Sequence, residues 1–140
     1  MGAKLREILL VDDQEADNFL HARVIRKMGC AETVTAKLNG REAIDYLTRE
    51  VEGGIPLPPD IIFLDLNMPV MNGWEFLDAY EQLDSEQHAE VVVVMLTTSL
   101  NPDDRENAAK RGIVAGFERK PLTAESLRKV LLEHFPLVLE

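Results

Sequence analysis

Apolar residues in this chain fall into short runs separated by longer stretches in which apolar and polar positions recur at helical spacing. Ile8-Leu9-Leu10-Val11 and Ile61-Ile62-Phe63-Leu64 are apolar throughout and rich in branched residues, the pattern of strands buried on both faces of a parallel sheet. Strands are expected near residues 7–11, 33–36, 60–64, 91–96 and 114–118. The stretches between them carry helix signals. Asn39-Gly40, Asn72-Gly73 and Asn101-Pro102-Asp103-Asp104 open the second, third and fourth helices with a capping side chain; the last adds proline at the first helical position and acids at the positive end. Gly29 and Gly112 stand where the first and fourth helices should stop. Thr123 caps a fifth helix, whose inward positions are Leu127, Val130, Leu131 and either His134 or Phe135.

Strand and helix therefore alternate, and the fold class is α/β. Right-handed crossovers force helices onto both faces of one sheet. The expected architecture is a five-stranded parallel sheet in the order 2-1-3-4-5, doubly wound with five helices. Residues 50–59, Gly-rich and then Pro-rich, are a loop too short to link two domains, and no internal repeat or low-complexity tract is present. One domain spans 1–140, with its core over about 6–134. The apolar tail, 135–140, is expected to fold back on the last helix or to pack against a second subunit.

Charge narrows the possible partners. With 25 acidic against 15 basic residues the net charge is −10, which works against nucleic acid binding. No signal peptide is recognisable, and the longest apolar run, 91–96, is far below the roughly 20 residues a membrane span needs. A cytoplasmic protein is expected. The single Cys30 cannot form an internal disulfide and reads as an inert thiol, packed or partly exposed. His21, His88 and His134 share no ligand spacing, so they read as surface or helix residues without a zinc site.

Chemistry concentrates where two strands end. Asp12 and Asp13 follow the first strand and Asp65 follows the third, so in the order 2-1-3-4-5 all three lie at one edge of adjacent strands. Unit charges 4 Å apart repel by roughly 4 kcal/mol at an effective dielectric near 20, so a cation is expected among them. An all-oxygen site suits Mg²⁺, which leaves coordination positions for phosphate oxygens. The turn-forming stretch after Asp65 is expected to lift that carboxylate into solvent, where it can attack phosphorus. Lys120, after the fifth strand, brings an ammonium to the same rim, and Thr97, ending the fourth, brings a hydroxyl.

The set Asp12-Asp13, Asp65 with Asn67-Met68-Pro69 and Asn72-Gly73, Thr97-Thr98, Gly116-Phe117 and Lys120-Pro121 resembles the receiver domains of two-component response regulators. The likeness spans almost the whole chain. It implies a flavodoxin-like receiver fold of the stand-alone, single-domain type, related to the chemotaxis regulators. Asp65 would be the phosphoacceptor. Asp13, Asp65 and the backbone carbonyl of Asn67 would bind Mg²⁺ directly, and Asp12 through water. Lys120 and Thr97 would hold the phosphoryl oxygens. Phe117, three residues before the lysine, would report the switch through burial of its ring.

The resemblance further implies a signalling protein that catalyses only its own phosphorylation and dephosphorylation. Its donor would be a sensor histidine kinase or a histidine phosphotransfer protein. Its output would run from the surface of helix four, strand five and helix five to a downstream protein target or a homodimer. A metal-dependent phosphohydrolase is the competing enzyme reading, but Asn67 stands where such enzymes carry a second aspartate, and no residues remain for a cap. A binding module that works without phosphorylation could afford to lose the acids, Thr97 and Lys120, all of which are present. Met68, Met71 and Trp74 read as ordinary packing at a helix start.

Overall fold

The computed structural model of the chain describes residues 4–49, 51, 54, 57–66, 68, 71–83, 92–98 and 101–139. In chain order the elements are β1 (Leu5–Val11), α1 (Glu15–Met28), β2 (Ala31–Lys37), α2 (Gly40–Leu47), β3 (Ile61–Asp65), α3 (Gly73–Glu81), β4 (Val92–Thr97), α4 (Pro102–Lys110), β5 (Val114–Arg119) and α5 (Ala124–His134), followed by a 3-10 turn, Pro136–Leu139. The strands form one parallel sheet in the order β2-β1-β3-β4-β5. This is the doubly wound flavodoxin-like arrangement expected from the alternation of elements.

Strand alternation divides the core in two. Leu9, Val11, Ile62, Leu64, Val93 and Met95 point to one face, where Ala43 and Leu47 of α2, Phe76, Leu77 and Tyr80 of α3, and Ala108 of α4 cover them. Ile8, Leu10, Ile61, Phe63, Val94 and Leu96 point to the other, beneath Ala22 and Ile25 of α1 and Leu127, Val130 and Leu131 of α5. The central strands are apolar on both faces because both faces are covered. Cys30 is buried on the second side, and burial pushes its thiol pKa up, in keeping with an inert residue.

Capping matches the sequence at four helices. The side chains of Asn39, Asn72, Asn101 and Thr123 accept backbone N–H bonds at the starts of α2, α3, α4 and α5, and Asn72 and Thr123 complete reciprocal capping boxes with Glu75 and Ser126. Gly29 closes α1 in the left-handed conformation, φ 68°. Gly112 does not do the same for α4. That helix ends at Lys110, and Arg111 is the residue that leaves it with extended backbone, its guanidinium bonded to Asp78 at 2.7 Å and lying over the Trp74 ring. Strand limits also move: β3 runs one residue further, to Asp65, and Val91 lies outside the described residues. The tail folds back, with Phe135 and Val138 against the α1 and α5 core while Leu137 stays 64% exposed. Among the described residues no helix is long and apolar enough to cross a membrane.

Candidate phosphoryl and metal site

Pairing of β1 and β3, with Val11 beside Leu64, sets their carboxyl ends side by side. Asp12 and Asp13 leave β1 there, and Asp65 is the last residue of β3. Each of the three offers one carboxylate oxygen, and those oxygens lie within 4.8 Å of one another. Mg²⁺ takes oxygen ligands at about 2.1 Å, which sets neighbouring oxygens about 3 Å apart and opposite ones about 4 Å apart. The three carboxylates therefore fit a small divalent cation with minor side-chain rotation.

Lys120 supplies positive charge. Its backbone N–H donates to the Thr97 carbonyl at 2.7 Å, which ties the end of β5 to the end of β4 and brings the side chain over the acids. The ammonium lies 2.5 Å from Asp12 Oδ2, 3.1 Å from Asp17 Oδ2 and 3.4 Å from Asp65 Oδ1, with the lysine side chain only 8% exposed. Burial alone would lower its pKa, but the ion pairs with Asp12, Asp65 and Asp17 outweigh that and hold it above the ordinary lysine value. The ammonium is thus permanently charged near neutral pH. The peptide bond between Lys120 and Pro121 is cis.

Asp65 is not lifted into solvent. It is 6% exposed; Gly73 N–H donates to the Leu66 carbonyl at 2.9 Å, and α3 starts directly against the aspartate backbone. Thr97 ends β4 at the same rim and is buried. Phe117 is half-buried on β5 against the α4 side of the core, with the Arg105 guanidinium 6.0 Å from its ring centroid. Asn67 lies outside the described residues, as does His88. Met68 is buried and Met71 and Trp74 are half-buried in the core, as ordinary packing residues would be.

Helix α1 contributes three residues that sequence reasoning missed. Asp17 reaches Lys120. Asn18 donates its amide to the Asp12 carbonyl at 3.0 Å and the Lys37 carbonyl at 3.3 Å, fastening α1 to the ends of β1 and β2. His21, which reads as a surface or helix residue, lies on the same helix and is buried. Burial pushes its pKa below the ordinary imidazole value, and the nearby Lys120 charge acts the same way while Asp12 and Asp17 oppose it. A signal was available: Asn18, His21, Ala22 and Ile25 stand at i, i+3, i+4 and i+7, so two polar residues occupy the buried stripe of a helix.

Residues 8–132 match the family model described as the response regulator receiver domain. The probable methanogenesis regulatory protein FilR2 of Methanothrix harundinacea is 34% identical over 126 residues, covering 90% of this chain and 79% of that protein. Sporulation initiation phosphotransferase F of Bacillus subtilis is 28% identical, with 94% of each chain covered. Among solved structures, a two component response regulator from Cytophaga hutchinsonii superposes with a TM-score of 0.84 at 33% identity, over 98% of both chains.

Proposed function

The chain belongs to the response regulator receiver domain family, and from that premise we propose that it takes a phosphoryl group from a histidine kinase or histidine phosphotransfer protein onto Asp65. Receiver domains are signalling modules of two-component and phosphorelay systems. One observation carries the assignment of the site: three carboxylates and a buried ammonium converge at the carboxyl ends of adjacent parallel strands.

Phosphoryl transfer depends on positioning and charge neutralisation. A carboxylate oxygen of Asp65 forms the new bond to phosphorus while the phosphorus–nitrogen bond of the donor phosphohistidine breaks, its electron pair staying on the imidazole. Lys120, 3.4 Å from Asp65 in the resting pocket, moves onto the phosphoryl oxygens as they arrive. Thr97, at the same rim, donates its hydroxyl to one of them. Asp12, Asp13 and Asp65, with the Asn67 carbonyl, would hold Mg²⁺, Asp12 through water. Bound there, the ion supplies charge neutralisation to the transferring group. Output follows from the rim: Thr97 and Lys120 are joined through the ends of β4 and β5, so movement at the phosphate reaches Phe117 and the α4, β5 and α5 surface, where a downstream target or a second copy would dock.

Intact mass after incubation with acetyl phosphate and Mg²⁺ tests the reading. A gain of about 80 Da is expected, lost in Asp65→Asn and with chelator. A folded protein that gains nothing and does not respond to beryllofluoride would instead be a binding module that works without phosphorylation.

A further inference from the structure

We propose that Asp17 is a positioning residue that holds the Lys120 ammonium beside the acid pocket, so that Asp12 and Asp65 can turn to a divalent cation without leaving the lysine unpaired. The inference rests on reading Asp12, Asp13 and Asp65 as a Mg²⁺ pocket and adds a residue to it. Two cations compete for the same oxygens. Both Asp12 oxygens have a neighbour at rest, Oδ2 ion-paired with Lys120 at 2.5 Å and Oδ1 accepting the Gln14 N–H at 3.0 Å, and Asp65 Oδ1 also faces the lysine. A metal entering among these carboxylates must draw them partly away from the ammonium.

A buried ammonium that loses its partners is costly. Lys120 is 8% exposed and has a third carboxylate at 3.1 Å, Asp17, which is not one of the three clustered acids. Asp17 sits in the first turn of α1, where the helix dipole favours its ionised form, and its side chain is 36% exposed, so hydration lowers the cost of keeping that charge. Removing it leaves Lys120 wholly on Asp12 and Asp65, in competition with the metal. Mg²⁺ affinity should therefore fall.

Glu15 makes the comparison sharp. It lies in the same first turn and carries the same charge, but it forms no ion pair with Lys120. Amide-shift titrations with MgCl₂ at constant ionic strength would be run on wild type, Asp17→Asn, Asp17→Glu and Glu15→Gln. Asp17→Asn should weaken binding about three- to tenfold, the lower part of the coupling range for one ion-pair network. Glu15→Gln should change it less than about twofold, as a screened charge does, and Asp17→Glu should restore most of the affinity. In a Lys120→Met background the loss caused by Asp17→Asn should shrink to that of Glu15→Gln; if that background does not fold, the four lysine-bearing proteins decide alone. Equal losses in Asp17→Asn and Glu15→Gln would overturn the role of Asp17 while leaving the pocket intact. No saturable shift in wild type would overturn the pocket and the inference together.

Discussion

Gly73 shows how closely one position is tied to the site. A Cβ there would lie 2.8 Å from the Asp65 carbonyl oxygen and 3.0 Å from the Leu66 Cα, both backbone atoms that cannot swing aside. Gly73→Ala should cost about 1–3 kcal/mol, as overpacking does, and slow phosphoryl uptake because Asp65 must shift. A thermal melt beside the mass assay checks both, and unchanged melting would show that the α3 start yields easily. His21 gives a pH-dependent expectation. Its folded pKa lies below the ordinary 6.5, with burial the main cause, so the fold favours the neutral ring. That contribution is complete above 6.5 and is lost as pH falls towards the folded value. Urea midpoints between about pH 7 and pH 5 should drop more in wild type than in His21→Gln; parallel curves would mean the ring accommodates its proton. Neither position stood out in the sequence. A glycine after asparagine reads as a cap signal, and a histidine amid polar neighbours reads as a surface or helix residue until the helix register is laid against the sheet.

At the scale of elements, the sequence was most legible where local chemistry decides. The caps Asn39, Asn72, Asn101 and Thr123 act locally, and all four start helices as expected. Asn72→Ala should cost about 1 kcal/mol by removing the box with Glu75, a loss visible as a lower urea midpoint with no change in slope. The start of α1 was not legible, because Gln14 provides no side-chain cap bond. The end of α4 was legible in position, since Gly112 directly follows the Arg111 cap, but not in geometry, since Gly112 lacks the left-handed conformation that Gly29 takes. The exposure of Asp65 was misread for a related reason: turn residues predict a change of direction but not what packs over it. Long-range placement was nevertheless recoverable for Asp12, Asp13, Asp65 and Lys120, since the ends of parallel strands share one edge whatever the loops do. Asp17 escaped because its partner is a lysine from the far end of the chain, and nothing local to α1 signals it.

Across the whole molecule, the order 2-1-3-4-5 connects the site to a distant surface. β4 and β5 leave the pocket together, joined by the Lys120 N–H and the Thr97 carbonyl at 2.7 Å, and Phe117 lies three residues upstream of Lys120 on the second of these strands. Between α4, β5 and α5 runs a groove of about 350 Å³ lined by Arg105, Ala108, Phe117, Lys129 and Glu133. The ring is half-buried at this groove, and α4 is thinly anchored: Ala108 is its sole fully buried side chain among the described residues. A thinly anchored helix is the kind of element whose two arrangements a small bias can exchange. Beryllofluoride with Mg²⁺ should therefore shift the amides of α4 and β5 as well as those around Asp65. On the proposed switch role of Phe117, Phe117→Ala should still respond around Asp65 but show α4 and β5 shifts reduced by about half or more. If the variant's α4 shifts match those of wild type, the signal reaches the surface through the backbone of β4 and β5 without the ring.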